Sequence, residues 1–180
     1  LGKLRKVSQG NQNRFFMYDA LGRMIRIRQP EQDTNPDLAV NDPITANSQW
    51  SASFSYDNNG NLLSSTDAKG AVITYTYDRL DRLTTRNYSL PQTTDPKKIT
   101  YATSNVTFKY DGLLSPLPNG QTQSAGPFSK GRLTEVNNGI SISQTTSFDN
   151  QGRALRNQQI TEGQVYPFQY EYNLAGKVTN

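Results

Sequence analysis

One set of polar side chains recurs along this chain at fixed spacing: a tyrosine, an adjacent aspartate, then a glycine and a basic residue three and four positions after the aspartate. Phenol, carboxylate and guanidinium together could move protons or bind sugar hydroxyls, so each copy is a candidate site. The copies are Tyr18, Asp19, Gly22, Arg23; Tyr56, Asp57, Gly60, Asn61; and Tyr77, Asp78, Asp81, Arg82, with Asp81 in the glycine place. The fourth begins Tyr110, Asp111 and resumes at Gly131, Arg132; the fifth is Phe148, Asp149, Gly152, Arg153; the sixth is Tyr172, Asn173, Gly176, Lys177. A half copy, Leu1-Gly2-Lys3-Leu4-Arg5, opens the chain. A catalytic site made of this set has to repeat at every copy, which favours a structural role.

Other chemistry is thin. Asp57, Asp78 and Glu135 are carboxylates of the kind a glycosidase pairs, but nothing in their spacing couples them, and aspartate belongs at turns. Asp57-Asn58-Asn59-Gly60-Asn61 is rich in oxygen ligands for calcium, yet lacks the spaced carboxylates and distal glutamate of a complete loop, and is read as a turn. The chain has no histidine and no cysteine, which removes imidazole bases, thiol nucleophiles, disulfides and nearly every zinc site. No enzyme activity, cofactor or metal is expected. The 19 Lys and Arg residues are scattered, densest at Lys97-Lys98 and Arg26-Ile27-Arg28, so a net charge of +4 reads as surface charge and not as a nucleic-acid stripe. No segment approaches the roughly 18 consecutive apolar residues of a membrane-spanning helix.

The segments that carry these residues alternate with period two. Ala71, Ile73, Tyr75 and Tyr77 fall on one face of a strand with Thr74 and Thr76 on the other; Tyr166, Phe168, Tyr170 and Tyr172 repeat the pattern, as do Ile140 and Ile142 before Phe148. Aspartate ends each strand by accepting backbone N–H bonds just ahead, and the glycine supplies a left-handed backbone before the return strand. Opposite turns are marked by Asp67-Ala68-Lys69-Gly70, Asn138-Gly139 and Glu162-Gly163. Only 33% of residues are hydrophobic, but 10 Tyr and 7 Phe can line a thin core if modules stack ring on ring. Asp and Arg can also pair between neighbouring modules, at about 0–1 kcal/mol each where exposed. The fold expected is all-β: repetitive antiparallel hairpins, about 20 residues per unit, over residues 1–180 as one array. Insertions are expected near 29–50, 90–103 and 113–127. Both ends fall inside copies, so the array is expected to be excised from a longer protein.

The phrase Tyr-Asp-x-x-Gly-Arg, including its interrupted form Tyr110-Asp111…Gly131-Arg132-Leu133-Thr134, resembles the YD repeat of RHS proteins, also found in insecticidal toxin complex C components and teneurins. The resemblance implies a spiralling sheet that builds a hollow β-shell, exported or displayed at a bacterial cell surface, around a toxin or other C-terminal cargo. Partners implied are neighbouring repeats and the enclosed polypeptide. The alternatives are an adhesion or carbohydrate-binding module, in which exposed tyrosines and Trp50 stack on sugar rings, and a self-assembling extracellular β-fibre. Unpaired sheet edges favour self-association in either case.

Overall fold

The computed structural model describes residues 2–91 and 103–179. These form twelve strands hydrogen-bonded in chain order in one antiparallel sheet, with no α-helix. They are β1 (Lys6–Gln9), β2 (Gln12–Tyr18), β3 (Met24–Arg28), β4 (Ala52–Tyr56), β5 (Leu62–Thr66) and β6 (Val72–Tyr77). The remainder are β7 (Leu83–Ser89), β8 (Val106–Tyr110), β9 (Leu133–Asn137), β10 (Ser141–Phe148), β11 (Ala154–Thr161) and β12 (Gln164–Gln169). The all-β hairpin array expected from the repeats is what forms.

The repeat maps onto the strands with one rule. Tyr18, Tyr56, Tyr77, Tyr110 and Phe148 are the last residues of β2, β4, β6, β8 and β10. The residue after each basic position, Met24, Leu62, Leu83, Leu133 or Ala154, is the first of the return strand. A register shift of one residue precedes the ring at Tyr18, Tyr56 and Tyr110 and sits beside Phe148. The extra residue stands on the return strand opposite the ring, Ile25, Leu63 and Thr134 at the three tyrosines, and bends that strand there.

The chain divides into two compact units, residues 1–81 with 87–103, and 82–86 with 104–180. In the first, residues 29–50 fold back as an ordered loop with one 3-10 turn over Pro36–Leu38. Trp50 is fully buried, and its indole N–H donates to the Val40 carbonyl at 2.8 Å. The Asn35 N–H donates to the Trp50 carbonyl at 2.9 Å, while the Asn35 amide donates to the Asp67 carbonyl at 3.1 Å. Trp50 is therefore a core anchor, which corrects the expectation that it offers a ring to sugars. In β6 the alternation holds: Thr74 and Thr76 are exposed, and Ile73, Tyr75 and Tyr77 half-buried.

In the second unit, residues 113–127 cover part of the sheet, with Leu113 bridging Ser124 and Ala125 fully buried. Two expectations fail here. Every residue of β12 is exposed, Tyr166 and Phe168 at 53% and 50%, because β12 bonds only β11 and no described strand packs on its other side. Ile140 lies in the turn before β10 and is exposed, so only Ile142 joins the strand face. Residues 92–102, most of the expected 90–103 insertion together with Lys97-Lys98, lie outside the described residues.

Candidate functional site

The aspartate of each copy builds the turn. Asp19 Oδ1 accepts the N–H groups of Leu21 and Arg23 at 3.0 and 2.8 Å, and its Oδ2 accepts Arg23 Nε at 2.7 Å. Its backbone closes the loop, giving its N–H to the Arg23 carbonyl and accepting the Gly22 N–H. Asp149 repeats this with Gln151, Arg153 and Gly152. Asp57 does so with Asn61, whose side-chain amide donates to Oδ2 at 2.9 Å. Asn173 keeps the geometry through its carbonyl oxygen, which accepts the Lys177 N–H at 3.0 Å. The same turn also forms at Asp67-Ala68-Lys69-Gly70, on the opposite end of the hairpin, where the sequence showed only a turn signal.

Asp81 adopts φ +58°, in the left-handed region where Gly22, Gly60, Gly152 and Gly176 stand in the other copies. Asp tolerates this region better than most side chains, and here its Oδ1 accepts the amides of Asn59 and Asn61 at 3.0 and 2.7 Å. The fourth copy shows how an insertion is accommodated. The Asp111 N–H still donates to the Arg132 carbonyl at 3.1 Å, and Asp111 Oδ1 accepts the Gly131 N–H at 2.6 Å.

Between copies the rings form the joint. The hydroxyls of Tyr18, Tyr56, Tyr77, Tyr110 and Tyr172 donate to the carbonyls of Leu4, Met24, Leu62, Leu83 and Ala154, at 2.8–3.1 Å. In every case the acceptor is the residue after the basic position of the preceding copy. That basic residue lies against the same ring: Lys3 on Tyr18 (5.8 Å), Arg23 on Tyr56 (5.0 Å), Arg82 on Tyr110 (4.4 Å), Arg132 on Phe148 (5.6 Å) and Arg153 on Tyr172 (4.5 Å). Asn61 leaves the Tyr77 joint without a cation, and Phe148 leaves the Leu133 carbonyl without a phenol. Burial pushes the Tyr56 and Tyr77 phenols up from their ordinary value, which keeps both as donors at neutral pH. Gly152 is favoured by its left-handed backbone, φ +80°, and the Arg132 guanidinium lies over the space a Cβ would take.

Asp–Arg pairing takes two forms. Arg82 binds Asp111 of the next copy with both terminal nitrogens, at 3.1 and 2.8 Å, as expected between neighbours. Arg23 and Arg153 instead hold the aspartate of their own copy, and Arg23 Nη1 reaches the next copy only through the Asp57 carbonyl at 2.6 Å. The carboxylates weighed for catalysis are engaged elsewhere. Asp57 and Asp78 accept turn N–H groups, and Glu135 is buried with both oxygens hydrogen-bonded. Among the described residues no group of three His, Cys, Asp or Glu could hold a metal, and no helix is long and apolar enough to cross a membrane.

The family profile described as RHS Repeat matches residues 56–93, the second and third copies. Residues 56–93 carry an RHS repeat. A crystal structure of TcdB2-TccC3, and another of TcdB2-TccC3-TEV, each align over 96% of this chain and 10% of their own at 13% identity and TM-score 0.51. A Tc holotoxin pore structure from Photorhabdus luminescens aligns over 96% of this chain and 9% of its own, at 12% identity and TM-score 0.49. The likeness to the two crystal structures is one of fold, and this chain spans about a tenth of their length. Among curated proteins none matches it.

Two expectations follow from this geometry. Tyr56→Phe, which removes only the hydroxyl from its joint, should lower stability by about 1 kcal/mol in urea unfolding; an unchanged midpoint would show that this hydroxyl does not stabilise the joint. Acid should loosen the joint at Asp111. Arg82 and then the Gly131 N–H hold its carboxyl down at about 2. Its contribution is complete above the unfolded value of about 3.9 and disappears as pH falls through the folded value. The Tm of Asp111→Asn should therefore lie below that of the parent chain at pH 6 and converge on it towards pH 2.

Proposed function

We propose that this chain is a structural segment of an RHS wall: one array over residues 1–180, with insertions near 29–50, 90–103 and 113–127, within a longer exported protein. In that protein the wall encloses a polypeptide cargo such as a toxin. The motif residues from Tyr18 to Lys177 act as turns and joints, and none is proposed to be catalytic. The observation that carries this reading is the repeated joint: one hydroxyl-to-carbonyl bond at five copies, each tying a copy to the one before. A side-chain set devoted at every copy to linking its neighbours is what an extended wall requires. The resemblance in fold to TcdB2-TccC3 supports the same architecture.

A second reading, glycan binding or adhesion, loses Trp50 but keeps the exposed Tyr166 and Phe168 of β12 as rings open to a ligand. Limited proteolysis of the intact parent protein separates the two. A polypeptide outside the repeats that survives protease until the wall is denatured supports enclosure; a polypeptide cleaved at once in the native protein contradicts it.

A further inference from the structure

Beside the Tyr56 joint lies a hollow of about 410 Å³, lined among others by Asp19, Arg23, Arg26, Ser53, Ser55 and Ser64. Arg26 on β3 stands directly across from Ser53 on β4, and Ser55 directly across from Ser64 on β5, so these four side chains share one face of the sheet. Asp19 and Arg23 neutralise each other. Arg26 has no carboxylate, carbonyl or ring partner among the described residues, and its Nε is shielded from solvent with nothing to accept its proton. An unanswered donor of this kind on a cation calls for an explanation. The hollow carries one uncompensated positive charge beside the Ser53 hydroxyl and the Ser55–Ser64 pair, whose hydroxyls bond each other at 2.6 Å and leave one hydrogen to give, a combination suited to an oxyanion.

The second unit offers a comparison. Asp149, Arg153, Arg156 and Tyr172 line a hollow at the same place in the fifth and sixth copies, and Arg156 occupies the position of Arg26, three residues after the turn arginine. That hollow is also lined by a carboxylate from the chain itself, Glu171, whereas no unpaired carboxylate lines the hollow at Arg26. The rings at the two places, Tyr56 and Tyr172, already lie against Arg23 and Arg153, which leaves a sugar poorly provided with a stacking face.

We propose that the Arg26 hollow is a binding site for a glutamate or aspartate side chain of an acidic polypeptide, held by the Arg26 guanidinium, the Ser53 hydroxyl and the Ser55–Ser64 pair. The site goes beyond the wall reading, since it does not depend on whether the array encloses anything. The test titrates a hexaglutamate peptide into the 180-residue chain at low salt, with calorimetry and the Arg26 Nε–H resonance as readouts. The unmutated chain should bind hexaglutamate but not hexaglutamine, with movement of the Arg26 signal. Arg26→Gln should weaken binding at least about tenfold, Arg26→Lys should weaken it less, and Arg156→Gln should leave it unchanged. Undiminished binding by Arg26→Gln, equal loss in Arg156→Gln, or a still Arg26 resonance in the unmutated chain would each overturn the proposal. Binding of oligogalacturonate but not hexaglutamate would overturn it in favour of an acidic glycan.

Discussion

Trp50→Ala is expected to destabilise the first unit by about 3–5 kcal/mol, the range for deleting a buried aromatic side chain. Trp50 is fully buried, its indole donates to the Val40 carbonyl, and its own carbonyl accepts the Asn35 N–H. Ser51 beside it is also buried, and its N–H donates to the Ile27 carbonyl on β3. Truncation therefore empties the space under the 29–50 loop and frees the loop from the sheet. Trp50→Phe keeps most of the volume and strands the Val40 carbonyl, at a smaller cost of about 1–3 kcal/mol. Because this is the single tryptophan of the chain, its emission should be blue in the native state and shift red on unfolding. An alanine variant as stable in urea as the parent, or native emission already at the wavelength of free tryptophan, would show that the loop does not rest on this ring.

Glu135→Ala should be the next most damaging change, lowering stability by about 3 kcal/mol and releasing residues 113–127. Glu135 on β9 is buried, yet it is an ionisable residue on a strand, and three elements converge on it. It accepts the Ser115 N–H, the Ser115 hydroxyl at 2.7 Å and the Gln144 amide at 2.7 Å, and it pairs with Lys109 at 3.1 Å. Gln144 in turn accepts amides from Gln123 in the insertion and Gln158 on β11. Removing the carboxylate leaves the Ser115 N–H and one of the two Gln144 amide hydrogens as buried donors without acceptors, each at about 1–3 kcal/mol, while the other amide hydrogen keeps the Ser115 carbonyl at 3.1 Å; Lys109 is partly exposed and can return to water. Burial pushes this carboxyl up, but the bonds from Gln144, Ser115 and Lys109 outweigh it, and its pKa lies below the ordinary value. Its stabilisation is therefore complete above the unfolded value of about 4.3 and is lost as pH falls through the lower folded one. Proteolysis within 113–127 reports this directly: cleavage should rise in Glu135→Ala at pH 7, and in the unmutated chain only under strong acid. Equal cleavage of variant and parent at pH 7 would contradict the role of Glu135 as the pin.

How much of this was legible in the sequence follows the range of the interactions. The turns were legible because an aspartate and a glycine three apart act within five residues, and the β6 alternation because Thr74 and Thr76 face water. The target of each ring hydroxyl was not, because it is set by another copy: Tyr56 donates to Met24 across 32 positions. Trp50 was misread since it falls in an insertion, outside the alternating strands, and only the fold shows that the loop turns back. Glu135 and Gln144 look like surface residues by type; the insertion that covers them is what buries them. Tyr166 and Phe168 keep the alternating pattern of a covered strand, but burial also needs a neighbour, and β12 has one only on the β11 side.

The measurement that bears most directly on the wall reading is electron cryo-microscopy of the full-length parent protein, at a resolution that traces strands. The account predicts these twelve strands as consecutive rungs of a closed wall, the tyrosine joints linking each copy to the last, with polypeptide density on the enclosed side. An open array with solvent on both faces would contradict it.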